Sequence, residues 1–411
     1  MKARAALALF VMLLLVACGR GNVAPGNPNS GLVPVNVEET ATSVPATPTI
    51  TSSPTSTDTP TPTLSPTPTP EPKGYGPKDF PDNVNPLTGL EVKDSAILAR
   101  HPIGIKVNIV PRYNRPPWGL SFADIVYDYY HNDGYTRYHA IFYGQDAEMV
   151  GPIRSGRLLD EALLRMYKSI FAYGSADQLI NNRLLNSPGA NRLIIEGRRS
   201  VCPPTGTNPM CRYEPNSGDY LLGGTEELTE YMITRGISAE RQELDGMTFH
   251  PVAPPDGDTV EQVFVRFSAD NYNRWDYDPT SGRYLLFQDN LYLDKGQDEV
   301  FVPLIDRLTE KQLAADNVVI LVASHEYFQR PPADIVEISL FGTGQAYAFR
   351  NGKMYEVSWN RPTLDSVLYL TFDDGSQYPF KPGSTWFQVI GRTSEIMEQD
   401  DNSWRFNFRF P

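Results

Sequence analysis

The period of the apolar positions changes along this chain, and each change marks a different kind of segment. Ala5 to Val16 is an uninterrupted apolar run, about the length of a signal h-region and too short to span a bilayer. From Thr40 to Pro72 the apolar pattern is lost, and 26 of the 33 residues are Thr, Pro or Ser. Such a stretch cannot bury enough apolar surface to fold, and its prolines favour extended conformations. At about 3.1 Å per residue it would reach on the order of 100 Å.

From Gly76 to about His250 short β-like runs alternate with helical spacing. Ile103–Ile109 reads as a strand, and Gly156–Phe171, Ala176–Leu185 and Glu226–Arg235 read as helices, the last with Thr225 as N-cap and Gly236 as stop. Ala123–Tyr143 reads as a hairpin about Asp133-Gly134, which places Asn132 opposite Tyr135, Tyr130 opposite Arg137 and Asp128 opposite His139. Pro251 to Asp258 reads as a linker. Beyond it, short aromatic and β-branched runs follow one another: Val260–Phe267, Tyr284–Gln288, Val318–Ala323, Ile335–Leu340, Gln345–Arg350, Lys353–Trp359, Val367–Phe372, Trp386–Ile390 and Trp404–Phe410, with one helix at Thr309–Ala315. The expected fold is α+β: a signal peptide (1–17), a lipidated cysteine and disordered tether (18–75), a mixed α/β domain (76–250) and a mostly β domain (258–411).

Chemistry adds a compartment. Lys2 and Arg4 precede the apolar run, which ends Leu15-Val16-Ala17-Cys18-Gly19, the form of a bacterial lipoprotein signal with Cys18 as the lipidated residue. No other run is long and apolar enough to be a second membrane contact. Loss of Lys2 and Arg4 with the signal takes the net charge from -13 to -15, which disfavours nucleic acid. Cys202 and Cys211 flank a rigid polar loop. In an exported protein they read as a disulfide worth roughly 2.7 kcal/mol on the loop-entropy model, and no neighbouring His or Cys completes a metal site.

The most informative local segment is Gly151-Pro152-Ile153-Arg154-Ser155-Gly156-Arg157. With Ser155 as N-cap, Arg154 and Arg157 stand against the positive end of a helix, at a cost of a few tenths to about 1 kcal/mol each. An anionic ligand held by backbone N–H groups and guanidinium forks offsets that cost, with Arg137 and Arg115 as support. Internal pairing with Asp160, Glu161 or Asp124 is the structural alternative. Asp128 with His139, or Ser175 at a strand-to-helix turn, are the residues an enzyme would use, although a cross-strand ion pair and a helix cap are the more ordinary explanations of them. His325-Glu326 lacks the second zincin histidine, and Trp275 occupies the place where a calcium loop needs glycine.

Ile103-Gly104-Ile105-Lys106-Val107-Asn108, Arg115 to Tyr127, Gly134-Tyr135-Thr136-Arg137 and Gly151 to Arg157 together resemble the YerB-like lipoproteins, as do Trp275-Asp276-Tyr277-Asp278, Asn317 to Ile320 and Gly383 to Val389. The resemblance covers nearly everything after the tether. It implies a two-domain lipoprotein and supplies no reaction or ligand. Glu214-Pro215-Asn216 departs from the family's Pro-His-Asn, so any chemistry of that histidine is in doubt here. The resulting expectation is a non-enzymatic, membrane-anchored lipoprotein that binds an anionic group of envelope material, with no cofactor. The alternatives are an enzyme acting on wall glycan or peptide, and a scaffold that docks an envelope protein.

Overall fold

The computed structural model describes residues 72–411, except 198–199, 205–207, 214–219, 294–296, 332 and 400–401. The signal segment, Cys18, the tether and residues 214–216 lie outside the described residues.

At the centre are β2 (Ile125–Asn132) and β3 (Tyr135–Phe142), joined by a two-residue turn in which Asp133 (φ 52°) and Gly134 (φ 81°) are both left-handed. Residues 125–131 are all buried, so β2 is covered on both faces. β1 (Ile103–Val107) lies antiparallel to β3, and β4 (Ile170–Tyr173) and β5 (Leu193–Ile195) follow in parallel. On its other edge β2 runs parallel to Thr385–Gly391, which runs parallel to Asn317–Gln329. Gly342–Arg350, Lys353–Arg361 and Tyr369–Thr371 continue this 12-stranded sheet. The change of element type at 251–258 is therefore no break in the sheet: strands from both sides of it share one ladder and one hydrophobic core.

A second sheet of seven strands, all from the later region, includes Gln262–Ser268, Asn271–Asp278, Arg283–Asp289 and Ser403–Asn407. It covers one face of the first, with Trp275 packed edge-on to Trp386 at 5.1 Å. Helix α1 (Leu158–Met166) covers the other face, its following residue Tyr167 bonded to Tyr127 of β2 through their hydroxyls at 2.6 Å. The chain is thus mixed α/β first and strand-rich afterwards.

Several element boundaries differ from the pattern. The helix expected over 156–171 is confined to α1, because Lys168 (φ 49°) turns the chain into β4. Helix α2 is Gln178–Leu185, capped by Asp177, whose carboxylate accepts from Leu179 N at 2.9 Å; Ser175 is not the cap. Helix α3 (Thr225–Thr234) begins one residue early, with Gly224 at the N-cap, and left-handed Gly236 (φ 86°) follows its C-cap as the expected stop. No helix forms at 309–315. There Asp306 accepts from Leu308 N at 2.9 Å, Glu310 is left-handed and Ala314–Ala315 is a short strand.

Candidate anion-binding site

Which residues share a face is decided by one bulge. The hairpin pairs Tyr127 with His139, Asp128 with Tyr138 and Tyr129 with Arg137, and the register shifts between Tyr130 and Asn132. His131 is the extra residue. An uninterrupted ladder back from Asn132–Tyr135 would place Asp128 opposite His139, and the bulge moves every pair beyond it by one. Asp128 and His139 therefore point to opposite faces, and the acid–base pair expected of them does not exist.

On the α1 face, Lys106 lies opposite His139 across β1 and β3. Its ammonium stands 3.2 Å from Asp160 of α1 and 3.8 Å from the Tyr129 ring centroid, and it donates to the Tyr129 hydroxyl. Asp160 Oδ1 also receives the Tyr129 hydroxyl, and His139 Nδ1 lies 2.8 Å from it. Four polar side chains are thus buried together and satisfy one another, as burial of a charge requires. Burial pushes the Asp160 carboxyl up, but Lys106, His139 and Tyr129 outweigh that and hold it well below the ordinary carboxylate range. Burial likewise pulls Lys106 down against the attraction of Asp160. His139 Nε2 and Ser169 Oγ are buried without partners among the described residues, and both face Gly104. Asp160, His139 and Ser169 have the residue types of a nucleophilic triad, but all three are fully enclosed, so no substrate reaches them in this conformation.

The arginine loop runs along this cluster. Arg154 N donates to Lys106 O at 2.9 Å, Gly174 N to Arg154 O at 3.0 Å and Gly156 N to Ser175 O at 2.8 Å, so residues 154–156 are extended against β1 and the end of β4. The helix accordingly starts two residues later than a Ser155 cap would place it, with Arg157 at the N-cap. Asp160 Oδ2 accepts from Arg157 N at 2.6 Å, so an internal carboxylate takes a donor that was expected to await a ligand. The guanidinium groups of Arg157 and Arg137 pair with no carboxylate among the described residues. Arg157 donates to Gly156 O at 2.9 Å and lies 3.4 Å from His131 Nδ1. Arg137 donates to Ser155 O at 2.9 Å, and its Nε is buried without a partner among the described residues. The carboxylates that the sequence offered go elsewhere: Asp160 to Lys106 and His139, Glu161 to Arg165, and Asp124 to the N–H groups of Tyr143 and Gly144.

Two cavities open beside these groups. One, of about 210 Å³, is lined by Arg157, Ser155 and Asn132 but also by Asp177 and Asp334. The other, of about 250 Å³, is lined among the described residues by Arg137, His131, Asn108, Val110, Pro111 and Tyr135, with no carboxylate among these. Burial lowers Arg137 well below the ordinary guanidinium range, and Arg157 and Arg154 lower it further. His131 is pushed well below the ordinary imidazole range by burial and then by Arg157, Arg137 and Lys106, so it is neutral beside them. An anion in the second cavity meets an under-compensated guanidinium, a neutral imidazole and an amide.

The remaining candidates are dispersed. Arg154 is lowered by burial, with the neighbouring Tyr113 acting against that shift, Arg212 with it and Glu196 against it. Arg115 does not join the site. It donates to Ile109 O at 2.9 Å and pairs with Asp289 at 2.9 Å, tying its loop to the second sheet. Ser175 Oγ lies 3.2 Å from Ser155 Oγ. Asp128 is buried on the opposite face, where Asn273 Nδ2 donates to it at 3.3 Å; the hydrogen-bond network orients Gln388 so that its Nε2 also donates, at 2.9 Å. Cys202 and Cys211 are disulfide-bonded.

Comparison with known proteins then fixes the relationship. Residues 87–200 match the family model "Protein of unknown function (DUF3048) N-terminal domain", and residues 263–387 match the corresponding "C-terminal domain". The chain belongs to this family. A member from Bacillus subtilis (strain 168), "Putative lipoprotein YerB", is 27% identical over 310 residues, 74% of this chain and 85% of that protein. The crystal structure of the Bacillus subtilis YerB protein has the same fold, with a TM-score of 0.60 at 24% identity over 75% of this chain and 96% of that one. Within the family's N-terminal segment lie Lys106, Asn108, Tyr129, His131, Arg137 and Asp160. Sequence reasoning singled out only Arg137 of these as a site residue. Lys106 left a signal, as the one charge in the apolar run Ile103–Ile109, but nothing local named its partner 54 residues on.

Proposed function

We propose that this is a lipid-anchored extracytoplasmic binding protein whose Arg137 cavity takes an anionic group of cell-envelope material. The lipoprotein signal ending at Cys18 and the name of the Bacillus subtilis relative support the anchor. Among the described residues no helix is long and apolar enough to cross a membrane. The observation that carries the binding reading is the Arg137 cavity: a half-buried arginine whose Nε has no partner among the described residues, two further arginines acting on it, and no carboxylate among the described lining residues. Charge-assisted hydrogen bonds from the guanidinium to a carboxylate or phosphate would compensate its charge. The seat is thus Arg137 with Asn108 and His131, and Arg157 and Arg154 shape its field.

Titration calorimetry with inorganic phosphate tests it. Arg137→Lys keeps the charge and loses the fork, and should weaken phosphate binding about tenfold while the melting temperature of the free protein stays close to wild type. No phosphate binding by the wild type, or unchanged affinity in the variant, would reject the seat. For the anchor, Cys18→Ala should release the protein from membranes without unfolding it, and full membrane retention after a salt wash would contradict it.

A further inference from the structure

Exposed aromatic rings are carried by the turn that follows the cavity-lining Pro111 and by segments bonded to that turn. Pro111 lines the cavity, and the next residues form a 3-10 turn, Arg112–Asn114. From that turn Tyr113 projects with 60% of its surface exposed and lies near Arg154. Its carbonyl accepts from the Tyr220 hydroxyl at 3.1 Å. Tyr220 and Tyr213 both pack on Trp118, at 5.5 and 5.9 Å, and the Arg307 guanidinium covers Trp118 at 4.0 Å. Tyr213 is 52% exposed. Arg112 stacks on Tyr292 at 3.8 Å and donates to Leu291 O at 2.6 Å, which fixes a third ring that is 56% exposed. Tyr213 and Tyr292 are thus held by ring contacts and Tyr113 through its backbone carbonyl, and all three are open to solvent; rings already held lose little entropy on binding.

We propose that the ligand is an acidic polysaccharide, whose pyranose C–H faces stack on these tyrosines while a carboxylate or phosphate substituent enters the Arg137 cavity. The inference rests on the anion-binding reading and narrows its ligand. Flat aromatic faces beside a small polar cavity suit a sugar ring, which is apolar on its faces and polar at its edge. An extended peptide would instead use an open sheet edge or an apolar pocket.

The test uses the soluble protein without its anchor segment (residues 72–411) and four probes: a galacturonic acid hexasaccharide, a neutral galactose hexasaccharide, polyglutamate of matched length and inorganic phosphate. The acidic hexasaccharide should bind at least tenfold more tightly than either phosphate or the neutral chain. Tyr113→Ala and Tyr292→Ala, with unchanged far-ultraviolet dichroism, should each weaken the acidic hexasaccharide about tenfold and leave phosphate binding unchanged. A hexasaccharide no tighter than phosphate overturns the inference while Arg137-dependent phosphate binding keeps the seat. Polyglutamate binding as tightly, with the same tyrosine dependence, overturns it in favour of an acidic peptide. Failure of all four probes removes the seat and the inference together.

Discussion

Asp128 shows how much a single side chain's environment departs from its local sequence. In sequence it sits among tyrosines on a hairpin strand and invites pairing with a basic residue across the ladder. In the fold its Oδ2 accepts from the amides of Asn273 and Gln388, and no charged group pairs with it among the described residues. Burial pushes its carboxyl up to about 7, with the Thr136 hydrogen bond, Lys106, Gln388 and Arg115 acting in the opposite direction. A carboxyl raised in the folded state favours folding below its unfolded value of 3.8, and that contribution is lost as the pH rises to about 7. Asn mimics the protonated group at every pH. Asp128→Asn should therefore match wild type near pH 4 and exceed it in stability at pH 8, by roughly 1–3 kcal/mol once the surroundings relax around the charge. Melting curves from pH 4 to pH 9 check this; a variant less stable than wild type at pH 8 would show that the carboxylate is wanted in its ionised form. The arginines teach the same lesson. Their types were legible, but which of them is paired depends on residues far off in sequence: Asp289 claims Arg115, and nothing among the described residues claims the Arg137 Nε.

At the scale of elements, period and turn chemistry were readable and the exceptions were not. Asp133-Gly134 formed the expected turn, and the hydrophobic spacing located the three α-helices among the described residues while also placing one at 309–315 that does not form. The bulge at His131 left no mark in the pattern, since the strand is buried on both faces and alternation carries no information there. Ser155 lost its capping role because its neighbours are held extended, Arg154 N donating to Lys106 O and Gly156 N to Ser175 O, groups supplied by another strand and a loop. Gly104 of β1 is a further constraint that spacing does not announce. Its backbone is ordinary, so the demand is for room: a Cβ there would stand 2.7 Å from His139 Nε2 and 3.3 Å from Ser169 Oγ. His139 cannot withdraw easily, because it stacks on Phe171 at 4.8 Å and is bonded to Asp160. Gly104→Ala should cost about 1–3 kcal/mol, as overpacking in a core does, measurable by urea denaturation. An undestabilised variant would mean that the imidazole and its carboxylate move as a loose unit.

At the scale of the molecule, the boundary near residue 250 divides element types but does not divide the sheet. Composition sees the change from helix-bearing to strand-rich sequence, but it cannot see that β2 and Thr385–Gly391 are neighbours in one sheet. Asn271–Asp278, which links the second sheet together, escaped notice because its Asn, Arg and Asp residues break the alternation. The two regions are tied by more than the ladder. Asp306 accepts from Gly119 N at 2.8 Å and Ser121 N at 2.7 Å, Asp289 holds Arg115, and Asn271 donates to Thr136 at 2.9 Å. A fragment of residues 72–250 would therefore expose an edge of β2 that is central in the whole protein. It would also uncover Asp128, Tyr138 and their neighbours on the face that the second sheet protects. Unpaired edges and uncovered apolar faces favour aggregation over folding. Expressed alone, the fragment should lack cooperative thermal unfolding and dispersed amide resonances, and adding residues 258–411 in trans should restore part of both. A cooperative melt from the isolated fragment would show that the first region holds its own core and that the shared sheet is only a docking contact.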